Sequence, residues 1–501
     1  MATAIEYFGI LAPQIILLIF ALVCPALDLW LKMRRGIAYW SLIGLAAVGI
    51  LEVLALYPGT QDLVSFMMFP AGSEPATEIF EVGAFSQLFT LVFIFVGSLV
   101  VLSSPQYIKN EKNHGEYYAL ILIAVIGMSF VATAADLVVI FIGIEIAGIA
   151  SYVLTGFQKT VKRSTEAAMK YFIIGGFSSA ISLFGIAMIY GAGGSTNLSA
   201  LGSALTVGGG LDGIVILGIA MIIVGLGFKI AAVPFHMWAP DVYEGAPTTI
   251  SALLAAGSKK MGVAAFFKIF LVALFAVKID WDMAIGIIAV LTMTVGNLVA
   301  IQQTSVKRML AYSSIAQAGY ILIAIPVATD YAVAGGILHV ITHAAMKSGA
   351  FFVLVALAVV GIGESVKDFN GLNKRSPFLA FAMAIFVLSL AGIPPLAGFY
   401  SKFVLFSAAI EASGATQWLV WLAVAGILNS ALSLFYYARI IKCMYVDESP
   451  SQEKFRIPTS VAVVVGVALV ATIVIGLYPD PFVNAAMGAA DGLNGLLPLG
   501  R

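Results

Sequence analysis

Apolar residues run in long, continuous stretches along this chain, separated by short polar segments. They do not alternate with polar ones. About 20 consecutive apolar residues, rising 1.5 Å each as a helix, span the ~30 Å hydrocarbon layer of a bilayer. Fourteen such runs fit: Phe8–Trp30, Ile37–Tyr57, Phe85–Leu102, Tyr117–Ala135, Leu137–Phe157, Met169–Gly191, Ile214–Val233, Thr249–Ala276, Met283–Ile301, Met309–Ile325, Ala332–Gly361, Phe378–Ala412 (interrupted), Trp418–Tyr445 and Ile457–Tyr478. Membrane β-barrels show short alternating segments instead. The expected fold is an all-α polytopic membrane protein of about fourteen transmembrane helices. The first run is longer than a signal-peptide core and follows no basic stretch, so it reads as a retained first span.

The loops test that count. Lys and Arg concentrate on the cytoplasmic side of membrane proteins. One set of alternate loops carries 17 of the 26 basic residues, among them Lys159, Arg163, Lys307, Arg308, Arg375 and Arg439. The other set carries only Lys278 and Arg501. With an even number of spans, both termini are expected outside. The loop Pro58–Ala84 carries Asp62, Glu74, Glu78 and Glu81 without a basic residue, as an external loop can.

Proline interrupts two spans. The seventh ends its regular run at Lys229–Pro234, and the twelfth breaks at Gly392-Ile393-Pro394-Pro395. Proline removes a backbone donor and clashes with the preceding turn. Such breaks persist at membrane depth only when enclosed by protein or lining a wet cavity. Pro234 and Pro394 are 160 residues apart, close to the offset between the fourth and ninth spans. This predicts two five-helix repeats, each with a broken helix. Five spans is odd, so the second copy is inverted, a pattern that marks ion sites in transporters. The expected organisation is three leading helices (1–116), a first repeat (117–276), a second repeat (283–446), and a last helix with its tail (447–501).

Composition acts mainly by exclusion. The chain is 61% hydrophobic and 10% charged, with net charge zero, so no acidic or basic partner and no nucleic acid is implied. Two cysteines, Cys24 and Cys443, cannot build a disulfide framework or an iron–sulfur site. There is no Walker motif and no dinucleotide fingerprint, so no cofactor is expected on this chain.

The remaining seven basic residues, Lys170, Lys229, Lys259, Lys260, Lys268, Lys347 and Lys402, fall inside spans. A charge at a helix centre costs ~2.5–3.5 kcal/mol on insertion scales, so such groups mark ion or proton paths. Glu145, midway along the fifth span, needs a partner or a proton. Lys229 beside the first break is the natural one, either as a static salt bridge or as a pair whose loosening releases a proton. Lys259 falls near mid-bilayer, and Lys260 is turned about 100° from it. One of the two is expected to line the path. Lys268 reads as snorkelling towards the outer surface, and Lys170 either as a local pair with Glu166 or as a path residue. His339, His343 and Lys347 stack at i, i+4, i+8. With no third metal ligand evident, this reads as a proton relay. His236 either feeds protons in or caps its loop. Lys402, after the second break, is a candidate exit group.

The stretch Phe228–Thr248, with Lys229, Pro234, His236, Trp238, Pro240, Asp241, Tyr243 and Glu244, strongly resembles the antiporter-like proton-pumping subunits of respiratory complex I. Glu166–Phe172 and Gly398–Phe403 point to the subunit N (subunit 2) type. The resemblance implies roles for Glu145 and Lys229 as a coupled pair, Lys259 as central lysine and Lys402 as exit-side lysine, with Lys170 and His236 also matching. It implies flavin, iron–sulfur clusters and quinone (or phenazine) in partner subunits. The implied partners are the other membrane-arm subunits (K, M, L, J, A and H types) and a peripheral redox arm. The His339/His343/Lys347 row looks more like subunit L, a departure that an archaeal relative fed by reduced deazaflavin and a membrane phenazine would accommodate. A stand-alone or Mrp-type cation/proton antiporter would share fold and lysines, but a sodium site would want more carboxylates.

Overall fold

The computed structural model describes residues 4–31, 34–56, 79–207, 213–449 and 453–494. The acidic loop residues Asp62, Glu74 and Glu78, with Lys32 and Arg501, lie outside these. Thirteen helices among the described residues are long and apolar enough to cross a membrane. In chain order the main elements are α1 (Ala12–Leu31), α2 (Arg34–Leu56), α3 (Ala84–Tyr107), α4 (His114–Thr133), α5 (Leu137–Thr155), α6 (Lys162–Gly193) and α7 (Gly213–Ile230). After a break come the short α8 (Trp238–Gly245), the span α9 (Thr248–Ala273), α10 (Lys278–Gln302), α11 (Val306–Leu322) and α12 (Asp330–Val359). The predicted twelfth span is split into α13 (Pro377–Ala391) and α14 (Ala397–Ala412). The chain continues through α15 (Val420–Tyr445), α16 (Thr459–Leu477) and α17 (Asp480–Asn494). Counting α13–α14 as one interrupted span, every predicted span has its helix.

The helix α17 was not anticipated; the region beyond the fourteenth span reads as a tail in sequence. It packs against α12 and α3 through small residues, with Ala486, Ala489 and Ala490 buried.

The centre of the bundle is α9, α11 and α12, which are almost wholly enclosed. α12 touches α3, α9, α11, α13, α14, α16 and α17. α1, α6 and α15 lie at the periphery and turn Leu22, Phe177 and Trp421 outward. An apolar helix gains nothing by hiding apolar surface from lipid, so close packing and polar contacts must order this core. Small residues do part of that. On α5, Gly143 and Ala147 press against Gly127 of α4, where an added Cβ on Gly127 would lie 2.5 Å from the Ala147 nitrogen.

The loops carrying most basic residues meet on one face. There Arg308 of α11 bonds Asp241 and Glu244 of α8, at 2.8 and 2.9 Å. Lys307 donates to the Ala246 carbonyl at 2.9 Å and approaches Glu364. Arg439 of α15 reaches the Ile301 carbonyl at 3.1 Å and the Gln303 carbonyl. On the opposite face the segment 79–81 pairs with the end of α4, Glu81 N–H donating to the Thr133 carbonyl at 2.7 Å.

Each break is wrapped by its own hydrogen bonds. After α7, Ala231 takes a left-handed backbone (φ 58°), uncommon for a residue with a Cβ. Its N–H bonds the Phe228 carbonyl at 2.9 Å, and the Trp238 indole donates to that same carbonyl at 2.9 Å. Val233 N–H is taken by the Thr292 hydroxyl at 3.0 Å. After α13, Gly392 (φ 89°) turns the chain, and the Gly398 N–H is taken by the Ser389 hydroxyl at 3.0 Å.

Candidate functional site

Gly143 and Ala147 face α4, so Glu145, two residues from each and about 200° round the helix, faces the other way. Its carboxylate accepts from the Ser179 hydroxyl of α6 at 2.5 Å. Lys229, on the last turn of α7, is 3% exposed and donates weakly to the Ile144 carbonyl at 3.5 Å. Gly148 leaves room for it, since a Cβ there would meet the Lys229 ammonium at 3.3 Å. The expected direct ion pair is absent: no Glu145–Lys229 contact within 4.0 Å occurs among the described residues. The two instead line one cavity of about 30 Å³ with Tyr152, Ser178, Ser179 and Ser182. That volume holds a water. The pair is held apart because Ser179 draws the carboxylate towards α6 while Ile144 O holds the ammonium on α5.

The stem of Lys229 packs on α9 at Gly262, one turn beyond Lys259. The Lys259 ammonium sits over the Tyr243 ring, 5.2 Å from its centroid, and has no hydrogen-bond partner among the described residues. Lys260 is equally buried. Both interact electrostatically with His343 and Lys347 of α12, and Lys260 also with His339. A lysine side chain is long enough to reach a neighbouring helix from either side of a 100° turn. The π-helical turn Leu254–Ser258 directly precedes them, a distortion frequent at functional sites.

The α12 row is buried throughout. The His339 and His343 rings are 6.1 Å apart. Neither ring nitrogen of His343 has a partner among the described residues. Lys347 donates to the Ser313 hydroxyl of α11 at 2.7 Å, which in turn bonds the Tyr437 hydroxyl. His339 lies between Ser401 and Gln317, each at 2.9 Å. Lys402 reaches back from α14 to the end of α13, donating to the Leu390 and Ala391 carbonyls at 2.8 and 3.2 Å and to Ser430 at 2.9 Å. These are carbonyls that a helix C-terminus leaves open, where a cation is favoured. Gln317 donates to the same Leu390 carbonyl at 3.1 Å, which links His339 to Lys402.

Two lysines and a histidine fall outside this line or change character. Lys170 is 42% exposed and bonds Glu166 and Asp241 at 2.8 and 2.9 Å, so it belongs to the surface ion cluster rather than the interior. Lys268 does not snorkel; it is 2% exposed and donates to the Ala134 carbonyl at 2.7 Å. His236 is half-buried at the first break, within electrostatic reach of Lys259. Sequence reasoning also missed an enclosed acid, Glu52 of α2, 5% exposed. It missed the hydroxyls and amides, Ser179, Gln317 and Ser401. Their signal was modest: polar residues one turn apart on buried helices, as Ser313 and Gln317 are on α11.

Burial alone would raise Asp241, but hydrogen bonds from Lys170 and Arg308 hold its carboxyl below the usual carboxylate range. A lowered folded value means this contribution is full above the unfolded carboxylate pKa and is lost as pH falls through the folded one. Asp241→Asn should lower thermal stability of the detergent-solubilised protein at neutral pH by about 1 kcal/mol or less, as partly exposed pairs do. The difference from wild type should vanish in acid; a difference that persists there would show that the ion cluster is not its source.

The family described as NADH:quinone oxidoreductase/Mrp antiporter, TM, matches residues 134–432, which hold the whole line from Glu145 to Lys402. This chain belongs to that family. The F(420)H(2) dehydrogenase subunit N of Methanosarcina mazei is 45% identical over 495 residues, covering 96% of this chain and 98% of the relative. The NADH-quinone oxidoreductase subunit N of Trichlorobacter lovleyi is 39% identical over 489 residues, 96% of each. Among solved structures, respiratory complex I from Thermus thermophilus contains a chain with TM-score 0.77 and 28% identity, covering 94% of this chain and 98% of that one. The Mrp complex from Dietzia has TM-score 0.81 over 98% of both chains, but at 21% identity that likeness concerns the fold. Within the family region, the two breaks flank the enclosed row on α12.

Proposed function

We propose that this chain is a membrane-arm subunit of a redox-driven, complex I-type proton pump and itself carries no redox chemistry. One observation carries the reading. Ionisable groups recur inside the bundle from the Glu145–Lys229 cavity past the buried Lys259 and Lys260 to His343, His339 and Lys402, and hydrogen bonds join His339 through Gln317 to the carbonyl that Lys402 holds. Relatives named for two different donors, F420H2 and NADH, share nearly the full length of this chain. Donor choice therefore belongs to other subunits, where flavin, iron–sulfur clusters and quinone or phenazine would sit.

In this reading the basic-loop face is cytoplasmic and both termini lie outside, in the cell membrane. Residues 117–276 and 283–446 act as two inverted units, each with a break in its fourth helix. Protons enter near the first break, with His236 at its edge. The Glu145–Lys229 separation sets the charge state of Lys229. A proton given up by Lys229 passes to Lys259 and Lys260, moves along the α12 row and leaves by Lys402. Carrying one charge against 100 mV takes ~2.3 kcal/mol, within the span of one switched ion pair.

The test uses the intact assembly in sealed vesicles, with acidification of one side driven by electron transfer. Lys229→Ala should lower the proton-to-electron ratio, and no sodium requirement should appear. Wild-type pumping in the variant would defeat the proposal, and strict dependence on sodium would favour the cation-antiporter alternative.

A further inference from the structure

Gln317 is wholly buried in α11, and its amide geometry constrains His339. The nitrogen end donates to the Leu390 carbonyl at 3.1 Å. A carbonyl can only accept, so the amide cannot be turned the other way without setting two oxygens against each other. The oxygen end therefore faces the His339 Nε2 at 2.9 Å. An amide oxygen carries no hydrogen, so Nε2 must carry one. In a neutral imidazole the other nitrogen is then bare. That nitrogen, Nδ1, lies 2.9 Å from the Ser401 hydroxyl.

Ser401 has two uses for its hydrogen. It can donate to Nδ1, or to the Gly398 carbonyl at 3.3 Å, at the start of α14 just past the second break. Thr342 donates to the Ser401 Oγ at 3.1 Å. When a proton arrives at Nδ1, that nitrogen becomes a donor, and the Ser401 hydrogen must turn away. Gly398 O is the acceptor within its reach. The imidazolium so formed would be repelled by Lys260 and by Lys402.

We propose that Gln317 is a positioning residue that holds His339 as its Nε2–H tautomer, so that His339 takes up and releases the transported proton at Nδ1 alone, on the Ser401 side facing the second break. This rests on the proton-transport reading and refines it. The balance is simple. The neutral ring gains one proton at Nδ1 to form the imidazolium, and loss of that proton restores the starting tautomer. Loss from Nε2 instead would leave a bare nitrogen against the Gln317 oxygen, two acceptors with no hydrogen between them. His339 is thus a one-sided site rather than a ring that passes protons from one nitrogen to the other. Its occupation is signalled to the break by the Ser401 hydroxyl and to Lys402 by charge.

The experiment is nitrogen-15 solid-state NMR of the histidine-labelled chain in its membrane assembly, with His339→Gln identifying the His339 signals. Wild type should show the neutral form as Nε2–H. Gln317→Leu, and the volume-matched Gln317→Met, should populate the Nδ1–H form and lower redox-driven pumping by about tenfold or more, as loss of an orienting partner does at other sites. Finding Nδ1–H in wild type overturns the proposal without needing any variant to fold. So does a tautomer unchanged in both variants, or a scrambled tautomer with undiminished pumping. The tautomer is read without electron transfer, so it is scored separately from whether the assembly pumps at all.

Discussion

Glu145→Gln in the intact assembly should reduce redox-linked proton translocation by at least about tenfold, equivalent to ~1.4 kcal/mol in the rate-limiting barrier. The substitution is chosen because it keeps shape and hydrogen bonding. The amide oxygen can still accept from Ser179, as the carboxylate does at 2.5 Å. Gly143 and Ala147 still seat α5 on α4, so the fold does not depend on the charge. What disappears is the carboxylate that shares a cavity with Lys229. In the structure the two are already separated, the ammonium resting weakly on the Ile144 carbonyl at 3.5 Å. A carboxylate that moves nearer favours the charged lysine, and one that moves away lets the proton go. An amide does neither, so Lys229 is left with one affinity in every state. The measurement is the initial rate of vesicle acidification at a matched rate of electron transfer. Undiminished pumping would mean that the cavity is structural and that timing comes from elsewhere.

How much of this was legible in the sequence follows from what each signal depends on. The spans were readable because an apolar run of helical length is a property of composition alone. The face on which the basic loops gather was readable for the same reason, and Arg308, Lys307 and Arg439 do meet there. Both breaks announced themselves through proline. The site was readable only as far as charge. Glu145, Lys229, Lys259, His339, His343 and Lys402 stand out as ionisable groups in apolar surroundings, and all fall within the stretch 134–432 that matches the family. Partners were not readable, because a lysine in a span looks alike whether it bonds a carbonyl or nothing. Lys268 is tied to Ala134, Lys170 to an exposed ion cluster, and Lys259 only to the face of a ring. Those differences depend on which helices touch. Ser179, Gln317 and Ser401 were hidden for the converse reason, since serine and glutamine carry no unusual cost that would flag them. Glu52 was overlooked because it sits near a helix end, where a carboxylate is ordinarily wet.

Lys402 offers the sharpest separation between holding the fold and moving a proton. Its ammonium bonds two carbonyls at the end of α13 and the Ser430 hydroxyl, while the Tyr320 ring lies 4.6 Å away. Lys402→Met keeps the apolar stem and removes all of these contacts. The carbonyls are not wholly stranded, since Gln317 still reaches Leu390 and Ser430 still reaches Ala391 at 2.8 Å. Destabilisation of about 1–3 kcal/mol is therefore expected, seen as a lower unfolding temperature of an otherwise assembled complex. Proton translocation should be lost. Lys402→Arg reverses the first effect and not the second. The guanidinium keeps the charge and can satisfy the same carbonyls, but it does not give up its proton in proteins. Stability should return towards wild type while translocation stays at least about tenfold down. If Lys402→Arg pumps normally, position 402 supplies a fixed positive charge to the broken helix, and the proton leaves by another group.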